Sequence, residues 1–218
     1  MNQPLLEVLT PAEPGPARWL TTVEKVKAAL RIVDSANDAL ITSIIDGVSA
    51  DCAREARLAR AGATDPTFGR ETLRATWAYR VRSCSTNLLV LPWRTPIISV
   101  SSVVVGGDSL DPDDFRIVDG GMIQPVGGVC AWPRANIAVE FVAGWDLPTG
   151  VPAGLEMRVI DQVKMQYLQT DRDPSLRSES TDGLGSATHA VIGGDSIGKS
   201  GLLKSLEAAL APYTAWTA

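Results

Sequence analysis

The feature that most constrains the fold is a change of hydrophobic period, from helical to alternating at Glu71 and back to helical near Pro152. Upstream, Val23, Val26 and Leu30 recur at helical spacing, followed by Ile41, Ile45, Val48 and Cys52 with Leu40 and Ile44 beside them. From Glu71, Leu73, Ala75, Trp77, Tyr79 and Val81 alternate with Thr72, Arg74, Thr76, Ala78 and Arg80, the pattern of a half-buried strand. Beyond Pro152, a favourable first-turn residue, Leu155, Val159, Val163 and Tyr167 return to one helical face, with Ile160 and Leu168 alongside. The chain should therefore be α+β, with a β-rich region set between helices.

Boundaries follow from local chemistry. Residues 1–18 carry Pro4, Pro11, Pro14 and Pro16 and read as an extended arm. Thr21 with Glu24 three residues on predicts a capping box at the first helix. The second helix is expected from about 35–38 to about 61, with Gly62 as its stop and Arg54, Arg57 and Arg60 near its end. That basic run suits the negative end of the helix dipole and a solvated face; contact with DNA or an acidic partner is the competing reading. Strands are expected at 88–91, 97–105, 115–118 and 137–142, separated by turns at Gly106-Gly107-Asp108 and Asp119-Gly120-Gly121. Connections this short imply an antiparallel sheet. Residues 172–198 are rich in Gly, Ser, Thr and Asp and predict a long polar arm. A short helix at about 200–211 closes the pattern, carrying Leu203, Leu206 and Leu210. The expected layout is an arm at 1–18, a small helical bundle from 19–65 with 150–171, an antiparallel β-rich insertion at 66–149, and an extended C-terminal arm at 172–218 ending in the short helix.

Composition removes several function classes. The 218 residues carry a formal net charge of −5, against the Lys/Arg surplus that gripping phosphates requires. Cys52, Cys84 and Cys130 are far apart and His189 is the single histidine, so a zinc site is not expected and reduced, buried thiols are. No signal peptide or membrane-spanning run is expected. Asp111, Asp113 and Asp114 around Pro112 could hold a cation but read better as a turn before a strand. Glu156 and Asp161 are five apart on the third helix and make no acid–base pair. No nucleophile–base–acid arrangement appears, so neither catalysis nor a cofactor is expected.

One string does look chemical. Residues 193–200, Gly-Gly-Asp-Ser-Ile-Gly-Lys-Ser, satisfy the phosphate-loop pattern through Gly193, Gly198, Lys199 and Ser200. In a working loop the backbone amides cradle phosphates, Lys199 would reach the β- and γ-phosphates, and Ser200 would hold Mg²⁺. Such a loop sits on a parallel sheet whose neighbouring strand brings an aspartate to the metal. Here the strands read as antiparallel and only 18 residues follow Ser200. The string is expected to be a decoy, with a nucleotide-binding protein as the alternative.

Several segments, in order, resemble the head–tail connector (adaptor) proteins of tailed phages and gene transfer agents. They are Leu20 to Ile32 with Asp38-Ala39-Leu40-Ile41, then Leu91-Pro92, Pro96 to Val103, Val139 to Trp145 and Val151-Pro152 with the helix ending near Tyr167. Leu176 to Glu179, Gly183 to Ser186 and Leu210 to Tyr213 resemble longer members. The string around Lys199 and the arginine-rich 53–70 depart from the family pattern. The resemblance implies a virion protein of the neck, made in the host cytoplasm: a ring of identical subunits, twelve in number, beneath the portal protein. It also implies a stopper or tail-completion partner, and genomic DNA passing through the lumen without sequence-specific binding. A short apolar-faced helix on a polar tether suits a partner's groove, which makes Leu203, Leu206, Leu210, Tyr213 and Trp216 the expected portal anchors; packing back onto its own subunit is the competing reading. On this view, truncation after Arg172 would spare the folded body. Trp77 and Trp145 are expected in the core, and Trp93 and Trp132, beside prolines, as interface loops. Another neck or tail-completion protein is a further alternative.

Overall fold

A computed structural model describes residues 4–58, 66–78, 88–91, 96–118, 121–126, 132, 135–170, 178–181, 185–188, 197–198 and 200–214. Its elements, in chain order, are β1 (Leu5–Thr10), α1 (Val23–Leu30), α2 (Asp38–Glu55), β2 (Glu71–Trp77), β3 (Leu89–Val90), β4 (Ile97–Val105) and β5 (Asp108–Ser109). There follow β6 (Phe115–Val118), β7 (Met122–Pro125), β8 (Ile137–Ala143), α3 (Ala153–Thr170), β9 (Ser178–Thr181), β10 (Gly185–Thr188) and α4 (Lys204–Leu210). The fold is α+β, as the period change predicts.

Helices form one core. The α2 stripe Ile41, Ile45, Val48 and Cys52 is fully buried and faces Leu155, Val159 and Val163 of α3. Complete burial of a leucine- or isoleucine-sized side chain stabilises by about 1.5–3 kcal/mol, so this stripe is the bundle's main support. The α1 cap lies one residue later than expected: Thr22 accepts the Lys25 backbone N–H at 3.3 Å, whereas Thr21 is buried. Thr22 has the extended backbone a cap needs, and the Glu24 backbone N–H, helped by the Thr22 hydroxyl, holds the Glu24 carboxyl below its usual range. Helix α2 ends at Glu55, short of the expected 61, where Arg57 turns left-handed at φ 57°.

Strands form a second core. The larger sheet has the order β1-β2-β8-β4-β5 with every neighbouring pair antiparallel. A smaller antiparallel sheet, β3-β7-β6, shares its apolar interior. Strand β8 alternates strictly, burying Ile137, Val139, Phe141 and Ala143, and its register sets Leu73 opposite Phe141 and Val103 opposite Val139. The expected N-terminal arm is in part an edge strand: residues 5–10 pair with β2. Pro4 and Pro11 flank that strand rather than interrupt it, which is where a sheet edge tolerates proline. The polar 172–198 arm likewise contains structure, a two-stranded antiparallel ribbon of β9 and β10.

Trp145, just past β8, belongs to the helical core. Its backbone N–H donates to Phe68 O at 2.8 Å, its ring stacks on Phe68 with centroids 4.8 Å apart, and Tyr213 meets it edge-on at 5.1 Å. Gly144, at φ 110°, lets the backbone pass so close to Gly69 that any Cβ would collide with the Gly69 carbonyl.

Candidate functional site

The candidate site is the lead-in to α4 and the helix itself. Gly193 and Lys199 lie outside the described residues; Gly198 and Ser200 do not. Gly198 N–H donates to Leu202 O at 2.7 Å, Gly201 N–H returns to Gly198 O at 3.2 Å, and Ile197 bridges Leu203. The chain thus makes a tight turn directly before α4.

That turn is filled by a carboxylate of its own chain. Ser200 donates its backbone N–H to Glu207 Oε1 at 3.3 Å, and its hydroxyl hydrogen-bonds the same oxygen. A Cβ on Gly198 would collide with the Glu207 carboxyl group. The Ser200 backbone N–H and hydroxyl, two of the donors a phosphate loop would offer, are therefore engaged by a negative charge of the same chain, which repels a triphosphate. The shallow depression beside it is lined by Glu55, Ile197, Gly198, Lys204 and Glu207, two carboxylates against one ammonium. The named sheets are antiparallel throughout, and the one parallel pairing among the described residues is the Gly69–Trp145 bridge. Among the described residues the sheets offer no parallel frame for a phosphate loop.

Helix α4 packs across α3 and α2. Leu206 and Leu210 are 0% and 1% exposed, and Leu202 joins them in the helical core. Two of the residues expected as partner anchors thus serve this subunit's own interior. The physical reason is that their 3.6-residue stripe finds the apolar face of α3 within the same chain, a match that hydropathy alone cannot distinguish from a foreign groove. Leu203 is half-buried, and its N–H is held at 2.8 Å by the side-chain oxygen of the fully buried Gln162. Tyr213 is half-buried against Trp145. Trp216 lies outside the described residues.

The tryptophan loops divide similarly. Trp132 is 5% exposed and belongs to the sheet core of this subunit, and among the described residues its indole N–H has no partner. Trp93 lies outside the described residues. Trp145 is core as expected, and Trp77 is half-buried.

Other titratable groups have structural partners. Asp111 accepts the Asp113 N–H at 3.2 Å in a short turn before β6. Glu156 pairs with Lys25 at 2.7 Å, and Asp161 with Arg158 at 3.3 Å. Burial raises the Cys52 thiol to about 12, so it is no nucleophile. Among the described residues no group of three or more His, Cys, Asp or Glu could hold a metal ion, and no helix is long and apolar enough to cross a membrane.

Neither a scan of family models nor a search of curated proteins finds a match for this sequence. Solved structures do. A chain in "Neck of empty GTA particle computed with C6 symmetry" aligns with a TM-score of 0.54 at 17% identity, covering 98% of this chain and 97% of that one. A chain in "Virion of native gene transfer agent (GTA) particle" aligns with a TM-score of 0.48 at 18% identity, over 77% of this chain and 86% of that one. Nearly end to end, this chain has the fold of a chain from the neck of a gene transfer agent particle.

Proposed function

We propose that this chain is a structural subunit of the neck of a phage-like particle, a head–tail connector (adaptor) that forms a ring beneath the portal and lets DNA pass. The observation that carries this reading is the alignment of 98% of the chain with a gene transfer agent neck chain. The ordered sequence segments that resemble connectors supply independent support. No bond is made or broken in this role; the work is ring closure and two stacked interfaces, one to the portal and one to a stopper or tail-completion protein. The ring is proposed to hold twelve copies, with heterologous contacts between subunits. A net charge of −5 suits a conduit that must not hold DNA by its phosphates. Leu203, Tyr213 and Trp216 remain the proposed portal-facing groups at the C-terminal end, whereas Leu206 and Leu210 anchor the helix that presents them.

Negative-stain imaging of purified particles with an antibody to this chain tests the reading. Label at the junction of head and tail is expected. Label on the capsid shell or along the tail would overturn it, and a mass of the chain mixed with portal that never exceeds the separate masses would remove the portal interface.

A further inference from the structure

Two features of this chain are each incomplete alone. Strand β1 is an edge: Leu5 to Val8 pair in continuous register with β2, and among the described residues no strand lies on the other side. Edges are normally blunted by charge, bulges or brevity, because their free N–H and C=O groups recruit other strands. The opposite side of the sheet is so protected, with two register breaks in β4 and only two residues in β5, and β3 in the smaller sheet is also two residues long. Strand β1 has a register break of its own only after Val8, which leaves the four-residue stretch Leu5–Val8 regular, and its Leu5 is 69% exposed and Leu9 36%.

The second feature is the β9–β10 ribbon. Its strands read Ser-Glu-Ser-Thr and Gly-Ser-Ala-Thr, with no large apolar residue to build an interior. Among the described residues it packs to no substantial extent on any helix or on either larger sheet. An isolated two-stranded hairpin is marginally stable at best, and a third strand is what stabilises it.

We propose that the open edge of β1 receives the β9–β10 ribbon of a second copy of this chain, so that each subunit's sheet is continued by its neighbour. The inference rests on the ring-subunit reading above and deepens it. A ring needs one surface of a subunit to meet a different surface of the next, and an edge strand and a two-stranded ribbon are two such surfaces. Main-chain hydrogen bonds would supply the affinity, and the exposed Leu5 would be covered by the added strand.

The test uses full-length chains carrying Cys84→Ser and Cys130→Ser, with the buried Cys52 left in place. One preparation adds Leu5→Cys, a second adds Ser180→Cys, and both are assembled together into particles and treated with a short bismaleimide. A cross-linked dimer that needs both preparations is expected, and a chain carrying both substitutions should give a ladder of oligomers. Linkage confined within single chains, linkage of Ser180→Cys to Ile117→Cys on the competing β6 edge, or no linkage would overturn the proposal. Replacing residues 178–188 by a Gly/Ser linker should leave the melting temperature unchanged and abolish ring formation; rings that still form would also overturn it. If the unlinked chain is nonetheless found at the neck, this contact fails while the connector reading stands; absence from the neck removes both.

Discussion

Gln162, fully buried in the middle of α3, accepts the backbone N–H of Leu203 at 2.8 Å through its side-chain oxygen. Among the described residues its amide nitrogen has no partner, and an unmade hydrogen bond in the interior costs about 1–3 kcal/mol. The chain retains this polar group where an apolar one would pack without that cost. What Gln162 provides is position: it fixes where the polypeptide enters α4, immediately after the turn closed around Glu207.

Leu206→Ala should destabilise the free subunit by about 2–5 kcal/mol, as removal of a fully buried leucine does, and Leu203→Ala by clearly less. Urea denaturation of the two variants measures both. Equal, sub-kcal losses would mean that α4 is not seated on the body. Truncation after Arg172 removes Leu202, Leu206 and Leu210 from the helical core, so it should unsettle the body instead of sparing it.

Gly198→Ala should cost only about 0.5–1.5 kcal/mol, because the methyl meets the far end of the flexible Glu207 side chain, which can swing aside at the loss of its hydrogen bonds to Ser200. Titration with a fluorescent ATP analogue and Mg²⁺ should show no saturable binding, equally in the parent and in Lys199→Ala. Binding that Lys199→Ala abolishes would restore the nucleotide alternative.

Cys52 makes stability depend on alkaline pH. Its folded-state value is raised from 9.0 to about 12 by burial, so the unfolded thiol ionises first as pH rises. The stabilising difference is intact below pH 9 and is lost as pH climbs from 9 toward about 12. Denaturation midpoints over that range should fall more steeply for the parent than for Cys52→Ala, and thiol reagents at neutral pH should label Cys52 only after unfolding.

On the outer face of the large sheet, Arg74 lies between Glu140, at 2.6 Å, and Glu7, at 3.7 Å, on the two flanking strands. The bond to Glu140 is the larger cause of the raised Arg74 value. A double-mutant cycle on Arg74 and Glu140 should give a coupling of about 0.2–1 kcal/mol, because the pair is half-exposed. High salt should shrink it.

Much of the fold was legible because its burial follows simple periods. The α2 stripe, the α3 face and the β2, β4 and β8 strands lie where spacing put them, since each buries one face against a nearby partner. What escaped were elements whose reason for existing is elsewhere in the chain. Strand β1 is read as an arm because its prolines dominate, yet its pairing is dictated by β2, more than sixty residues later. Strand β7, β5 and the β9–β10 ribbon are too short or too polar to carry a period. In the candidate site, residue spacing correctly exposed the apolar stripe of α4 but could not say whose groove it fills. The phosphate-loop pattern stops at Ser200 and so carries no sign of the Glu207 carboxylate, seven residues on, that occupies the turn.

The aromatic stack of Phe68, Trp145 and Tyr213 has a mechanical consequence. It ties Trp145, two residues past β8, to Tyr213, three residues past α4, so a displacement of Tyr213 would press first on the ring at the foot of that strand.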